Sequence, residues 1–169
     1  MPTIIPGVRS DETVSIWWLP TLADPTAPKV SELTGATAVK LECLLSSAPD
    51  FSSSVETGKI KRLCSSVPRE VAGSRSYSIG DLTLAYDPQS MATALSKGYV
   101  ALAEGATGYF VLRSGVHVDT APAALQLVDV WAGTVSTRDK LPPEDNDELK
   151  AKVGVTGALR IVENQALVA

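Results

Sequence analysis

The chain has few of the residues that build reactive sites. Its 169 residues include two cysteines and one histidine, too few donors for a zinc site made of several Cys and His ligands. His117 stands between two valines, without a nearby Ser or Cys that would indicate a catalytic dyad. Cys43 and Cys64 form no CxxC pair, and we expect two buried thiols, although a shared hairpin could make them neighbours. The sequence therefore disfavours an enzyme and predicts no metal and no cofactor.

Long apolar runs and an excess of positive charge are also missing. No apolar stretch approaches the roughly 20 residues of a membrane span. Segment 1–7 lacks the basic region and apolar core of a signal peptide. The formal net charge of −4 argues against an open nucleic-acid-binding surface, which needs clustered Lys and Arg. We therefore expect a soluble protein that is made in a cytoplasm and does not insert into a membrane.

Strand patterns dominate what is present. Alternating apolar and polar residues predict seven or eight strands, mostly antiparallel because the connections are short. One helix is expected over roughly 89–102, where Asp87 and Pro88 provide an N-cap and a first-turn proline. The predicted fold class is mainly β, a β-sandwich or open barrel with one flanking α-helix.

A single domain is expected over residues 1–169, and turn and loop segments divide it into four parts. These are an N-terminal strand and arm over 1–27, a protruding hairpin over 38–64, a central strand–helix–hairpin–strand block over 75–138, and a C-terminal strand and arm over 149–169. The hairpin pairs a strand at 38–45 with one at 55–64. The central block contains strands at 76–86, 109–113, 116–118 and 125–137. Gly157 predicts a bulge in the last strand.

Four apolar residues are candidates for contacts between subunits. Trp17 and Trp18 point to opposite faces of the strand at 13–19, so they are either core residues or contacts with another chain, and the sequence favours neither. Phe51 and Val55 lie at the serine-rich tip of the predicted hairpin, where apolar side chains are unusual. The sequence therefore indicates an assembly subunit more than a reactive centre.

Several short segments of the sequence, taken together in their order and spacing, resemble a known family. They are PKVSEL at 28–33, RLCS at 62–65, LAYDPQ at 84–89, GATGYFVLRSG at 105–115, VDVW at 128–131, KLPPE at 140–144 and VTG at 155–157. Over about 28–162 the chain resembles the major tail tube proteins of long, non-contractile tailed phages, especially those that infect actinobacteria.

The resemblance implies a structural protein of the virion tail that needs no cofactor. Subunits of this family form hexameric rings, the inner strands of each ring join into one large barrel, and the rings stack into a tube. The tube assembles in the host cytoplasm around a tape-measure protein and ends at a terminator, and the genome passes along its lumen without specific binding. Glu42, Glu104 and Asp129 interrupt apolar neighbourhoods, so they are candidates for a lumen that repels phosphate or for salt bridges between subunits.

Two other functions are also compatible with the sequence. A head–tail connector or terminator of related fold would form one ring that does not lengthen. A monomeric β-sandwich binding module would use the Phe51 loop or the paired tryptophans to contact a ligand. Self-association separates both virion proteins from the binding module, and open-ended growth separates the tail tube from the connector.

Overall fold

One curled antiparallel sheet holds most of the secondary structure. The computed structural model describes residues 12–61 and 67–169. The six strands of the sheet lie in the order β2-β1-β6-β7-β8-β5, and the sheet bends into a half-barrel. Their bounds are β1 Val14–Leu19, β2 Val39–Lys40, β5 Leu82–Ala85, β6 Thr107–Ser114, β7 Leu127–Lys140 and β8 Lys150–Ala166. The predicted class, mainly β with little helix, is confirmed.

A second sheet contains two strands, β3 Phe51–Ile60 and β4 Arg69–Ile79, paired antiparallel as a hairpin. Two short helices complete the described elements, α1 Val30–Leu33 and α2 Lys97–Ala101. Helix α1 is stabilised where Glu32 accepts a hydrogen bond from the Lys29 backbone N–H at 2.9 Å.

The curl of the large sheet has its source in the pairing of β7 with β8. The register between them shifts at four points, each of which marks an unpaired extra residue. One extra residue falls on β8 between the pairs Ala132–Leu159 and Thr134–Thr156. Gly157 lies there with a φ of +63°, a conformation that glycine adopts without strain. The bulge predicted at Gly157 is confirmed, and bulges of this kind bend a strand and increase its twist.

Both faces of the sheet are buried at β1 and over most of β6. One face packs Ile16, Trp18 and Phe110 against residues of β5 and the hairpin base. The opposite face packs Trp17, Leu19 and residues of β6 and β7 under Leu22, Leu33 and Leu167. Strands that are covered on both sides read as nearly continuous apolar runs, which is the pattern of β1.

The hairpin predicted over 38–64 is wrong in its first strand and in its pairing. Of the predicted strand at 38–45, only Val39–Lys40 is a strand, and it pairs with β1. The predicted strand at 55–64 is found as part of β3 up to Ile60, although its partner is β4, and its end at 62–64 lies outside the described residues. The chain then turns, with the Leu44 and Leu45 N–H groups donating to the Leu41 carbonyl at 2.8 and 3.0 Å. The turn buries Leu41, so the apolar spacing resembles a strand although the backbone is not extended. The described hairpin joins β3 to β4 instead.

Three other predictions in the central block need correction. The helix is five residues long, and turns occupy 88–96 because the Ser96 hydroxyl binds the Asp87 backbone and closes this segment as a loop. The strand at 76–86 is broken near Gly80 into β4 and β5. The returning strand at 116–118 does not form, because the Val118 N–H donates to the Glu12 carbonyl and turns the chain toward the start of β1.

Candidate assembly surfaces

The two tryptophans of β1 are buried within their own chain. Trp17 is 3% exposed and Trp18 is 2% exposed. Trp18 lies with its ring centre 4.7 Å from that of Phe110, whereas Trp17 on the other face lies under the Arg113 guanidinium at 5.2 Å. Neither side chain presents a surface to another subunit, so contacts inside the chain account for both.

Phe51 lies at the base of the β3–β4 hairpin and not at its tip. Its ring centre is 5.4 Å from that of Trp131 and 6.1 Å from that of Phe110. Tyr77 contacts Trp131 from the other strand at 5.8 Å. These aromatic contacts fasten the base of the hairpin to the large sheet.

Beyond that base the hairpin is exposed on both faces. Residues 53–60 and 69–76 are all exposed, and Val55 keeps 42% of its surface in solvent. Hydroxyl pairs such as Ser52–Ser78 and Ser54–Ser76, each at 2.8 Å, link the strands. A two-stranded ribbon without a packed face is at best marginally stable in water, so this hairpin has a surface that another molecule could cover.

The direction of the hairpin follows from the contacts at its base. Ile79 reaches toward Gly133, near Val155. Two residues earlier in β4, Tyr77 lies beside Trp131 and the Arg160 guanidinium. The hairpin therefore runs away from the turn that joins β7 to β8.

The two outer edges of the large sheet differ. β2 covers only Trp17 and Trp18 on the outer side of β1. The rest of that side is partly closed, since Ile16 accepts from the Leu41 N–H at 2.8 Å and donates to the Glu42 carboxylate at 3.4 Å. Glu42 thus takes the place of a neighbouring strand's carbonyl. The edge at β1 is therefore blocked, as the edges of sheets in soluble proteins often are.

The outer edge of β8 lacks a hydrogen-bonded strand for most of its length within the described residues, although β4 runs close to β8. β5 pairs with β8 only from Lys150 to Val153. Within the described residues, no strand pairs with the outer side of β8 from Gly154 to Ala166. A long unpaired edge exposes backbone donors and acceptors that can bind a strand of another chain.

The three acidic candidates occupy different settings. Glu42 is about nine-tenths buried and pairs with Lys40 at 2.7 Å. Asp129 is half-buried and accepts a hydrogen bond from the Asn164 N–H at 2.7 Å. Glu104 is exposed in the turn before β6. The structure therefore does not gather them into one site.

A buried arginine was missed by the sequence analysis. Arg113 is fully buried and donates to the Ser15 hydroxyl at 3.2 Å, the His117 carbonyl at 3.3 Å and the Gln126 side-chain oxygen at 3.0 Å. Burial lowers the pKa of Arg113, and the negative charge of Glu42 opposes that shift. Its position two residues after Val111, on an inward-facing side of β6, is the signal that could have identified it.

The turn between β7 and β8 is strongly acidic. Glu144, Asp145, Asp147 and Glu148 lie within five residues, and residues 142–149 are all exposed. Lys150 donates to Asp147, and this hydrogen bond lowers the pKa of the Asp147 carboxyl. The turn therefore carries a concentrated negative charge in solvent.

Cys43 is exposed, contrary to the expectation of a buried thiol. Cys64 lies outside the described residues. Within the described ranges no cluster of three or more His, Cys, Asp or Glu could hold a metal ion. No helix in that part of the chain is long and apolar enough to cross a membrane.

The comparison with known families identifies the chain. The sequence profile of a family described as phage tail tube protein matches residues 1–169. No curated protein sequence matches the chain. The match agrees with the family resemblance seen in the sequence and with the strand-rich fold, and tail tube proteins are structural components of the virion tail. The chain therefore belongs to the phage tail tube protein family.

Proposed function

We propose that this protein is the repeating subunit of a phage tail tube, assembled as hexameric rings that stack and conduct the genome through their lumen during ejection. The observation that carries the proposal is the open side of β8 from Gly154 to Ala166 in a member of this family. A strand of another chain would satisfy the backbone groups along that edge.

A hexameric ring needs a heterologous contact, in which the open side of β8 meets a different surface of the next copy. Because the edge at β1 is partly closed, that surface is not the β1 edge. The curl of the sheet is compatible with the ring-wide barrel that the family resemblance implies. The barrel removes the exposed edges that would otherwise lead to aggregation.

The charge of the chain suits a conduit for DNA. Its formal net charge is −4, and a negative lumen repels phosphates so that DNA slides without binding. Of the three acidic candidates, exposed Glu104 fits a lumen position best. Asp129 and Glu42 already interact within the chain, which suits a structural role.

The resemblance supplies the further context of the proposal. The tail is long and non-contractile, the host is an actinobacterium, and the tube assembles in the host cytoplasm around a tape-measure protein and stops at a terminator. The subunit acts without a cofactor and without catalysis.

Electron microscopy of the purified protein at rising concentration, with light scattering on the same samples, tests the proposal. We expect hollow tubes of uniform width, with mass per length corresponding to hexameric rings. An initiator complex from the same phage is added where the protein alone stays monomeric. Rings that never lengthen would indicate a connector or terminator, and a monomer that ignores the initiator would contradict the proposal.

A further inference from the structure

The β3–β4 hairpin differs in charge from the rest of the molecule. Residues 51–79 contain five Lys and Arg against two Glu, which leaves ten basic and seventeen acidic residues elsewhere. Four of the five cations, Lys59, Lys61, Arg69 and Arg75, are described, and all four are exposed. The hairpin is therefore a basic projection on an acidic protein.

The largest concentration of negative charge lies at the other end of the sheet. The turn at 141–149 holds four carboxylates and is flanked by two cations, Lys140 and Lys150, of which Lys150 pairs with Asp147. That hydrogen bond raises the pKa of Lys150, and the charges of Glu148 and Glu144 add to the shift. Leu149 beside it is 41% exposed.

The base of the hairpin and the acidic turn lie at different positions along β7 and β8. The hairpin leaves the sheet from Ile79 past Tyr77, away from the β7–β8 turn. One copy therefore cannot bring its own basic hairpin onto its own acidic turn, whereas a second copy placed head to tail can. Contacts between two different surfaces of identical chains do not close on themselves, so they produce open-ended growth.

We infer that the basic β3–β4 hairpin of one copy docks on the acidic 141–149 turn of a copy in the next ring. The occupant of the exposed hairpin is thus a second copy of this chain. The inference rests on the proposed function, since it names the surfaces through which the rings stack.

Salt dependence is the first expected property of this contact. Exposed charges are screened over about 10 Å at 0.1 M salt and about 3 Å at 1 M. Raising the salt from the lower to the higher value should therefore shorten tubes and leave rings intact. Rings should resist the added salt, because in our proposal the β8 edge pairs through backbone hydrogen bonds.

Charge reversal tests which surfaces meet. The hairpin variant K59E/R69E and the turn variant E144K/D145K should each form rings, and their mean tube length should fall by about tenfold because like charges now face each other. The variant K29E introduces a negative charge beside α1, in a segment that belongs to neither surface, and should elongate like the parent protein. Circular dichroism and thermal unfolding confirm that each variant is folded.

Restoration is the decisive arm of the experiment. An equimolar mixture of the hairpin and turn variants should elongate as an alternating tube, because each reversed surface then meets an oppositely charged partner. Failure of the mixture to associate, by light scattering and microscopy, would overturn the inference even where the parent protein forms tubes. Elongation of both single variants at the parent rate would also overturn it.

If the hairpin variant instead elongates normally but loses retention of double-stranded DNA in a gel-shift assay, the hairpin faces DNA and the inference is wrong. A parent protein that forms neither rings nor tubes even with the initiator complex contradicts the proposed function, and mixing the two variants still reports directly on the docking contact.

Discussion

The large sheet and the β3–β4 hairpin use the same kind of secondary structure for opposite purposes. Around β1 and β6 both faces of the sheet are covered by side chains of its own chain, with residues such as Trp18 and Phe110 almost completely buried. The hairpin is anchored only at its base by Phe51 and Tyr77 and is exposed along both faces beyond it. The sheet therefore determines whether the monomer folds, and the hairpin is available for contact with another subunit.

Removing Trp18 should have the largest effect. Trp18→Ala removes a buried ring that lies against Phe110, and core truncations of this size cost about 3–5 kcal/mol. Urea unfolding monitored by circular dichroism measures the loss. A change below about 1 kcal/mol would mean that the sheet does not depend on this packing.

Gly→Ala substitutions compare the packed sheet with the exposed hairpin, because each adds the same methyl group. A Cβ at Gly108 in β6 would lie 2.5 Å from the Leu19 carbonyl oxygen, whereas a Cβ at Gly58 in β3 meets nothing within 4 Å. Gly108→Ala should therefore destabilise the monomer by about 1–3 kcal/mol through overpacking. Gly58→Ala, the matched control, should leave the melting temperature nearly unchanged. Equal effects at both positions would remove the distinction between a packed sheet and an open hairpin.

Replacing the guanidinium group of the buried Arg113 should lower the stability of the fold. Arg113→Lys keeps the charge but cannot reach Ser15, His117 and Gln126 together, and each buried acceptor left without a donor costs about 1–3 kcal/mol. Thermal unfolding measures the loss. An unchanged melting temperature would show that the loop at 114–126 is held by its other contacts.

Val55 should matter for assembly and hardly at all for the fold. Val55→Ser alters a residue that is 42% exposed, and exposed substitutions usually change the free energy of unfolding by less than about 0.5 kcal/mol. If the hairpin is covered in the tube, the same variant should lower the yield of tubes at a fixed protein concentration. Normal tube yield, measured by pelleting, would place Val55 outside the contact.

The smallest expected effect is a pH dependence in the acidic turn. The Asp147 pKa lies below its ordinary value of 3.8, chiefly because Lys150 donates to it. A lowered pKa in the folded state stabilises the turn fully above the ordinary value, and the stabilisation is lost as the pH falls through the lowered one. Asp147→Asn should remove that dependence, as followed by NMR of the Glu148 amide between pH 2 and about 5. An unchanged amide titration in the variant would assign the dependence to another group.

The parts of the fold that the sequence predicted are those with a buried face. β8 alternates because one of its sides packs on the core, and the bulge at Gly157 follows from a residue that tolerates positive φ. β3 carries four small polar residues among its first seven and has no buried face beyond Phe51. A strand without a buried face has no reason to alternate, and its pairing with β4 is therefore invisible in the hydrophobic pattern.

At the turn after β2 the hydrophobic pattern instead predicted a strand where none forms. Leu41 and Leu45 are spaced as in a strand, yet the backbone turns and inserts Leu41 into the core. Spacing records which side chains are buried, and a turn can bury the same side chains as a strand. For the same reason the sequence left Trp17 and Trp18 undecided between core and interface, since both environments require apolar residues.

Hydrogen exchange on the monomer and on assembled tubes tests the central claim most directly. The account predicts that amides on the outer side of β8 between residues 154 and 166, and amides of the exposed hairpin, exchange in the monomer and become protected in the tube. Amides of β6, a central strand paired on both sides, should be protected equally in both states and serve as the internal reference. Tubes in which the outer side of β8 and the hairpin exchange as fast as in the monomer would contradict the account.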